Sequence, residues 1–251
     1  MRDRLSFQTS FFNTPESLPI SDIETLIAES IPESILVVAP HPDDETLGCG
    51  GAIALLRQLD IKVKVAIVSD GTQSHPNSLA YPPPALKQLR ERESLAALTL
   101  LGVEPEAVTF WGMPDGAVPT VVQHQEIRIQ EYLCNFTPSI IFLPWRKDPH
   151  PDHRASWLLF TTACKRLNYE PRIIEYPIWD WDKEQRQDFP DSVNAWRLDI
   201  SKVIELKRQA IAQYRSQISD LIDDDPEGFR LTPEMILNFT QPWEIYLEVK
   251  S

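Results

Sequence analysis

At 251 residues, 42% of them hydrophobic and 24% charged, the chain has enough apolar material for a folded core, which excludes a disordered polymer. A formal net charge of −13 excludes nucleic acid as a partner, since tracking phosphates needs clustered Lys and Arg. No run approaches the roughly 18 apolar residues of a membrane span, the first residues lack the apolar core of a secretory signal, and Cys49, Cys134 and Cys164 form neither a disulfide framework nor a metal clip; the expectation is a cytoplasmic chain with reduced thiols.

Along the chain there is no repeat and no linker, so one domain over 1–251 is expected. Residues 35–39 are an apolar, β-branched run that predicts a strand, and the apolar spacing of 52–59 predicts a helix. The unit recurs as a strand at 62–69, a Pro-rich loop at 74–85 and a helix at 86–102 closed by Gly102. A strand at 107–112 and a helix at 121–136 follow, then a strand at 139–144 and a helix at 154–167. This alternation predicts an α/β fold, a three-layer α/β/α sandwich on a Rossmann-like, mostly parallel sheet. In the C-terminal third, strands at 172–179, 196–200 and 243–249 and a helix at 202–218 are expected to add a flanking layer.

In such sheets the working residues gather at the carboxyl ends of the strands. Two segments sit there: Pro40-His41-Pro42-Asp43-Asp44-Glu45 and Asp148-Pro149-His150-Pro151-Asp152-His153, which together hold three of the five histidines. A catalytic divalent ion needs about three protein ligands and an open position, and a mixed His and carboxylate set suits zinc, with ferrous iron as the other candidate. His41, Asp44 and His153 are assigned as the ligands, with Asp44 at the start of the following helix. That leaves Asp43 to accept a proton from the activated water, and His150 to donate to the oxyanion or to protonate the leaving amine. Asp152 is expected to orient His150 or a ligand imidazole. Gly48, Gly50 and Gly51 suggest that backbone or substrate closely approaches this helix start, while Glu45 reads as a first-turn carboxylate, Cys49 as packing, and His75 and His124 as surface residues.

These two loops resemble the signatures of the PIG-L or LmbE-like family of zinc-dependent de-N-acetylases. Further matches are Ser69-Asp70-Gly71, Arg90 with Glu93, Leu101-Gly102, Pro114-Asp115-Gly116, and Lys207, Tyr214 and Ser216-Gln217. The resemblance implies hydrolysis of an N-acyl, mostly N-acetyl, group from an amino-sugar conjugate such as an N-acetylglucosaminyl compound, a small-molecule partner. It assigns His41, Asp44 and His153 to zinc, Asp43 as general base and His150 as acid or stabiliser of the tetrahedral intermediate. It also places Arg90 near the mouth of the site, where the other reading is a solvated helix arginine paired with Glu93. Across the span of the resemblance, 33–220, Asp70 and Asp115 become candidate hydroxyl acceptors or plain turn residues, while the long 74–85 loop departs from a minimal family chain and is a candidate lid. Trp145, Trp179 and Trp181 are expected to pack, with sugar stacking as the alternative.

Competing readings are a non-catalytic carbohydrate-binding module that retains a metal site, and an amidase acting on a non-sugar N-acyl or thiol conjugate. The module would dispense with Asp43 and His150, yet both are present. A dinucleotide-binding domain fails because His-Pro-Asp-Asp stands where the glycine-rich turn belongs. A metallophosphoesterase needs more bridging carboxylates. Assembly as a homo-oligomer is left open.

Overall fold

The computed structural model describes residues 15–27, 32–179 and 192–250. In chain order the elements are β1 (Ile20–Ser21), α1 (Ile23–Ile27), β2 (Ser34–Ala39), α2 (Asp44–Gln58), β3 (Lys62–Ser69), α3 (Pro83–Leu100), β4 (Val108–Met113) and α4 (Val118–Phe136). There follow β5 (Ile140–Pro144), α5 (Pro151–Arg166), β6 (Arg172–Tyr176), β7 (Val193–Asp199), α6 (Ile204–Ile211), the single turn α7 (Arg215–Ile218), α8 (Pro233–Phe239) and β8 (Trp243–Val249).

One eight-stranded sheet runs β1-β7-β8-β6-β5-β2-β3-β4, in which β8 alone is antiparallel to its neighbours. Successive residues of β2 feed opposite faces: Ile35 and Val37 join the core under α2, α3 and α6, whereas Leu36 and Val38 join the core under α4 and α5. Both faces are therefore covered, which is why these strands read as continuous apolar runs. The chain builds β2, β3 and β4 outward and then returns to lay β5 against the free side of β2, pairing Ile35 with Ile140 and Val37 with Phe142. That reversal is a topological switch point, and it brings together the loops that leave β2 and β5.

The C-terminal third departs from the expected flanking layer. Its strands β7 and β8 extend the same sheet, β8 pairing with β6 through Glu175 and Leu247 and with β7 along its whole length, so the edge of β6 is capped by main chain. Only its helices flank the sheet. The 202–218 helix is interrupted at Tyr214, whose backbone is non-helical (φ −79°, ψ 56°) and whose buried hydroxyl donates to Glu45 and lies 2.9 Å from the Thr46 hydroxyl. Helix α2 starts at Asp44, as expected of that residue, eight residues before the periodic stretch at 52–59, since its first two turns are buried on every side and show no periodicity. The glycines there are approached by side chains: a Cβ at Gly48 would collide with the ring of Tyr176, and one at Gly51 with Ile200.

Lys207, on α6, is fully buried and donates to Leu47 O and Glu244 Oε1, both at 2.7 Å. Glu244 in turn accepts the backbone N–H groups of Gly51 and Ala52 at 2.6 and 2.8 Å. Removing one member of such a pair strands the other charge in the interior. Lys207→Met should therefore lower unfolding free energy by about 3–5 kcal/mol, read as a shifted urea midpoint at unchanged slope; an unchanged midpoint would show that the pair does not clamp α2 to β8.

Candidate metal centre and active site

The β2–α2 junction is a tight turn held by its own side chains. His41 N–H donates to Asp44 Oδ2 at 2.9 Å, and Asp43 N–H donates to Glu45 Oε2 at 3.1 Å. Asp43 takes φ 123°, a region that side chains rarely adopt, so the turn is strained at that residue. Arg90 holds it there from α3: its guanidinium donates to Gly71 O at 2.9 Å, to Pro42 O at 2.5 Å and to Asp43 Oδ2 at 3.1 Å.

His41 and His153, 112 positions apart, meet beside Asp44. His41 Nδ1, Asp44 Oδ2 and His153 Nε2 lie 3.2 Å from one another in all three pairs. Three vertices of a tetrahedron with edges of 3.2 Å stand about 2.0 Å from its centre, the length of a zinc–nitrogen or zinc–oxygen bond. The other ring nitrogens face carboxylates, His41 Nε2 at 3.2 Å from Asp115 and 3.4 Å from Asp152, and His153 Nδ1 at 3.3 Å from Asp148. Outer carboxylates of this kind orient ligand imidazoles and raise their basicity. Donor atoms of His41, His150 and His153 also fall within 4.8 Å of one another, as do those of His41, Asp115 and Asp152, but the trio with Asp44 is the tighter set. The residues present thus fit a small divalent cation.

The electrostatics follow from packing these charges together. Burial opposes ionisation of Asp44, but the His153 and His41 imidazoles outweigh it and hold its carboxyl far below the usual range. Burial likewise opposes charge on His153, yet Asp148 and Asp44 raise it to about 9, and the carboxylates around His41 push that ring well above its ordinary value too. Burial lifts Asp43 to about 8, against the pull of Arg90 and with the repulsion of Asp44 and Glu45. His150 is lowered to about 4 by burial and by the charges on His41 and His153. Coordination requires neutral imidazole nitrogens facing the ion, so a cation must displace the proton that His153 holds up to about pH 9. Affinity for zinc should therefore rise with pH towards 9, and binding at pH 7 should release protons, measured calorimetrically in buffers of different ionisation heat; binding heats independent of buffer would contradict this.

His150 is the N-cap of α5: its Nδ1 accepts the Asp152 N–H at 3.2 Å, which leaves Nε2 to carry the ring proton. Its ring meets His41 edge-on at 4.7 Å and stacks on Trp179 at 6.3 Å. The carboxylate of Asp152 faces His41 and accepts from Gly116 and Val118. His41, Asp43, Asp44, His150, Arg90 and Asp115 all border one cavity of about 300 Å³.

Of the other residues singled out in the sequence, some stand where expected and some do not. Arg90 is buried behind Asp43, not solvated, and Glu93 instead receives the N–H and hydroxyl of Ser216 at 2.8 and 2.6 Å. Asp70 lies off the cavity lining, its carboxylate closing a turn onto Thr72 and the Asp115 N–H. The 74–85 loop is tied down: Asp224 accepts from Ser78, Leu79 and Ala80, and Asp225 from Asn77. His75 is buried against Gly228, not on the surface. Trp145 is buried, Trp179 borders the cavity, and Trp181 lies outside the described residues. Glu45 is the first-turn carboxylate expected of it, and it is fully buried and lifted to about 7 by burial, bridging Tyr214 and the Asp43 backbone. Asp148, which faces His153 Nδ1, is marked in the sequence only by its spacing in the second loop, two before His150 and five before His153.

Among known proteins, the family model described as PIG-L, GlcNAc-PI de-N-acetylase, matches residues 36–164. A probable N-acetyl-alpha-D-glucosaminyl L-malate deacetylase 2 of Bacillus cereus is 30% identical over 201 residues, which cover 76% of this chain and 86% of the relative. Diacetylchitobiose deacetylase of Thermococcus kodakarensis is 26% identical, over 75% of this chain and 71% of the relative. The structure of N,N'-diacetylchitobiose deacetylase from Pyrococcus horikoshii shares the fold, with a TM-score of 0.61 at 24% identity, over 78% of this chain and 74% of that one. With the matched segment spanning both histidine-bearing loops, the chain belongs to the PIG-L family of LmbE-like deacetylases.

Proposed function

We propose that the protein is a metal-dependent amidohydrolase that releases an N-acyl, mostly N-acetyl, group from an amino-sugar conjugate. The observation that carries this reading is the trio of donor atoms 3.2 Å apart, with Asp43 and His150 on the same cavity. A divalent cation, zinc or ferrous iron, held by His41, Asp44 and His153 supplies Lewis acidity toward the acyl carbonyl and toward water. Asp43, outside that trio, accepts the proton of the attacking water, and Arg90 keeps its carboxylate in place. His150, with its proton on Nε2, donates a hydrogen bond to the oxygen that gains charge, and the proton taken up by Asp43 passes to the departing amine as the C–N bond breaks. Asp115, on the same wall, is a candidate acceptor for a sugar hydroxyl. The products are a carboxylic acid and a free amino sugar.

The relatives act, by their names, on glucosaminyl malate and diacetylchitobiose, which sets the first panel. Zinc-loaded protein should release primary amine from at least one N-acetylglucosamine conjugate in a panel of malate, inositol and chitobiose compounds, and a chelator should stop it. Amine release from none of them, or release indifferent to the chelator, would contradict the reading.

A further inference from the structure

The cavity lining is of two kinds. Gln73, Ser74, Asp115 and Gln217 supply polar groups, and Leu47, Ile178, Trp179, Phe229, Leu231, Met235 and Phe239, which share one core cluster, supply an apolar wall. The apolar wall starts at the reacting groups: Leu47 follows Asp43 by one helical turn, its N–H donating to Asp43 O at 2.9 Å. It is continuous from there, since Trp179 lies on the ring of His150 and Phe229 meets Trp179 edge-on at 5.4 Å. Phe229, Met235 and Phe239 come from the segment around α8, beyond the 36–164 span that the family model matches.

An acetyl group presents one methyl, far too little to cover such a wall, and water against it is poorly bonded. The described part of the lining offers an anionic appendage no free cation. Among the described residues that border the cavity, Arg90 is the single Lys or Arg, and its guanidinium already serves Gly71, Pro42 and Asp43. We infer that the amino-sugar substrate carries an apolar group of several carbons next to the scissile amide, and that this group lies against the Leu47, Trp179, Phe229 and Met235 wall. The inference rests on the amidohydrolase reading above. A longer acyl chain and an alkyl or aryl aglycone share this chemistry, and the test separates them.

Zinc-loaded full-length protein is assayed on two series. In one, N-acetylglucosamine carries a methyl, butyl, hexyl or octyl glycoside; in the other, methyl glucosaminide carries an acetyl, butanoyl, hexanoyl or octanoyl amide. In one series kcat/KM should rise at least about tenfold from the shortest to the hexyl or hexanoyl member, and the series that rises identifies the source. Met235→Gln should cut the long-to-short ratio at least about threefold, a ratio that partial loss of folded protein leaves unmoved. Hydrolysis of the shortest member with both series flat or falling overturns the inference and spares the amidohydrolase reading. Amine release from no member overturns both.

Discussion

Asp43→Asn should lower kcat by roughly two to four orders of magnitude while metal content stays at the wild-type level. Asn keeps the shape of the side chain and an oxygen for the Arg90 guanidinium, which stands 3.1 Å from Asp43 Oδ2, but cannot accept a proton. It is also preferred to Ala because the residue sits at φ 123°, and Asn tolerates positive φ better than other side chains. Elemental analysis of purified protein and turnover on an active conjugate decide the outcome together. Loss of metal along with activity would show that Asp43 is a ligand, and retention of both would show that the base lies elsewhere.

His153→Ala should empty the site, reducing bound metal at least about tenfold and abolishing hydrolysis. The imidazole is the one donor that the first turn of α5 sends to the trio, 3.2 Å from both His41 and Asp44. Its loss also leaves Asp148 buried without its ring partner, so metal should be counted per folded protein, with circular dichroism as the control. Unchanged metal stoichiometry would remove His153 from the ligand set.

The core of the fold was legible because the central strands at 35–39 and 139–144 are apolar runs and helical patterns alternate with the strands, and parallel strands covered on both faces look like that. The two histidine loops were legible through residue type and position, since the switch-point rule turns distant strand ends into neighbours. What the sequence concealed depends on long-range packing. Nothing local marks Tyr214 as the residue that breaks a helix to reach Glu45, or Glu244 as the partner of Lys207. Arg90 carries Glu93 on its own helix face, so the local pair hid its true partners on the β2–α2 turn. The helix α8 is too short for its periodicity to be read, although Thr232 and Pro233 form an ordinary helix start, and the apolar wall it supplies was therefore unforeseen.

The central claim is that one cation is held by donors from two loops, with Asp43 outside its ligand set. An anomalous-difference map at the zinc absorption edge, from a crystal of the zinc-loaded protein, tests this directly. One peak about 2.0–2.2 Å from His41 Nδ1, Asp44 Oδ2 and His153 Nε2 is the expected result. A peak bound instead by Asp43, or one seated between Asp115 and Asp152, would contradict it.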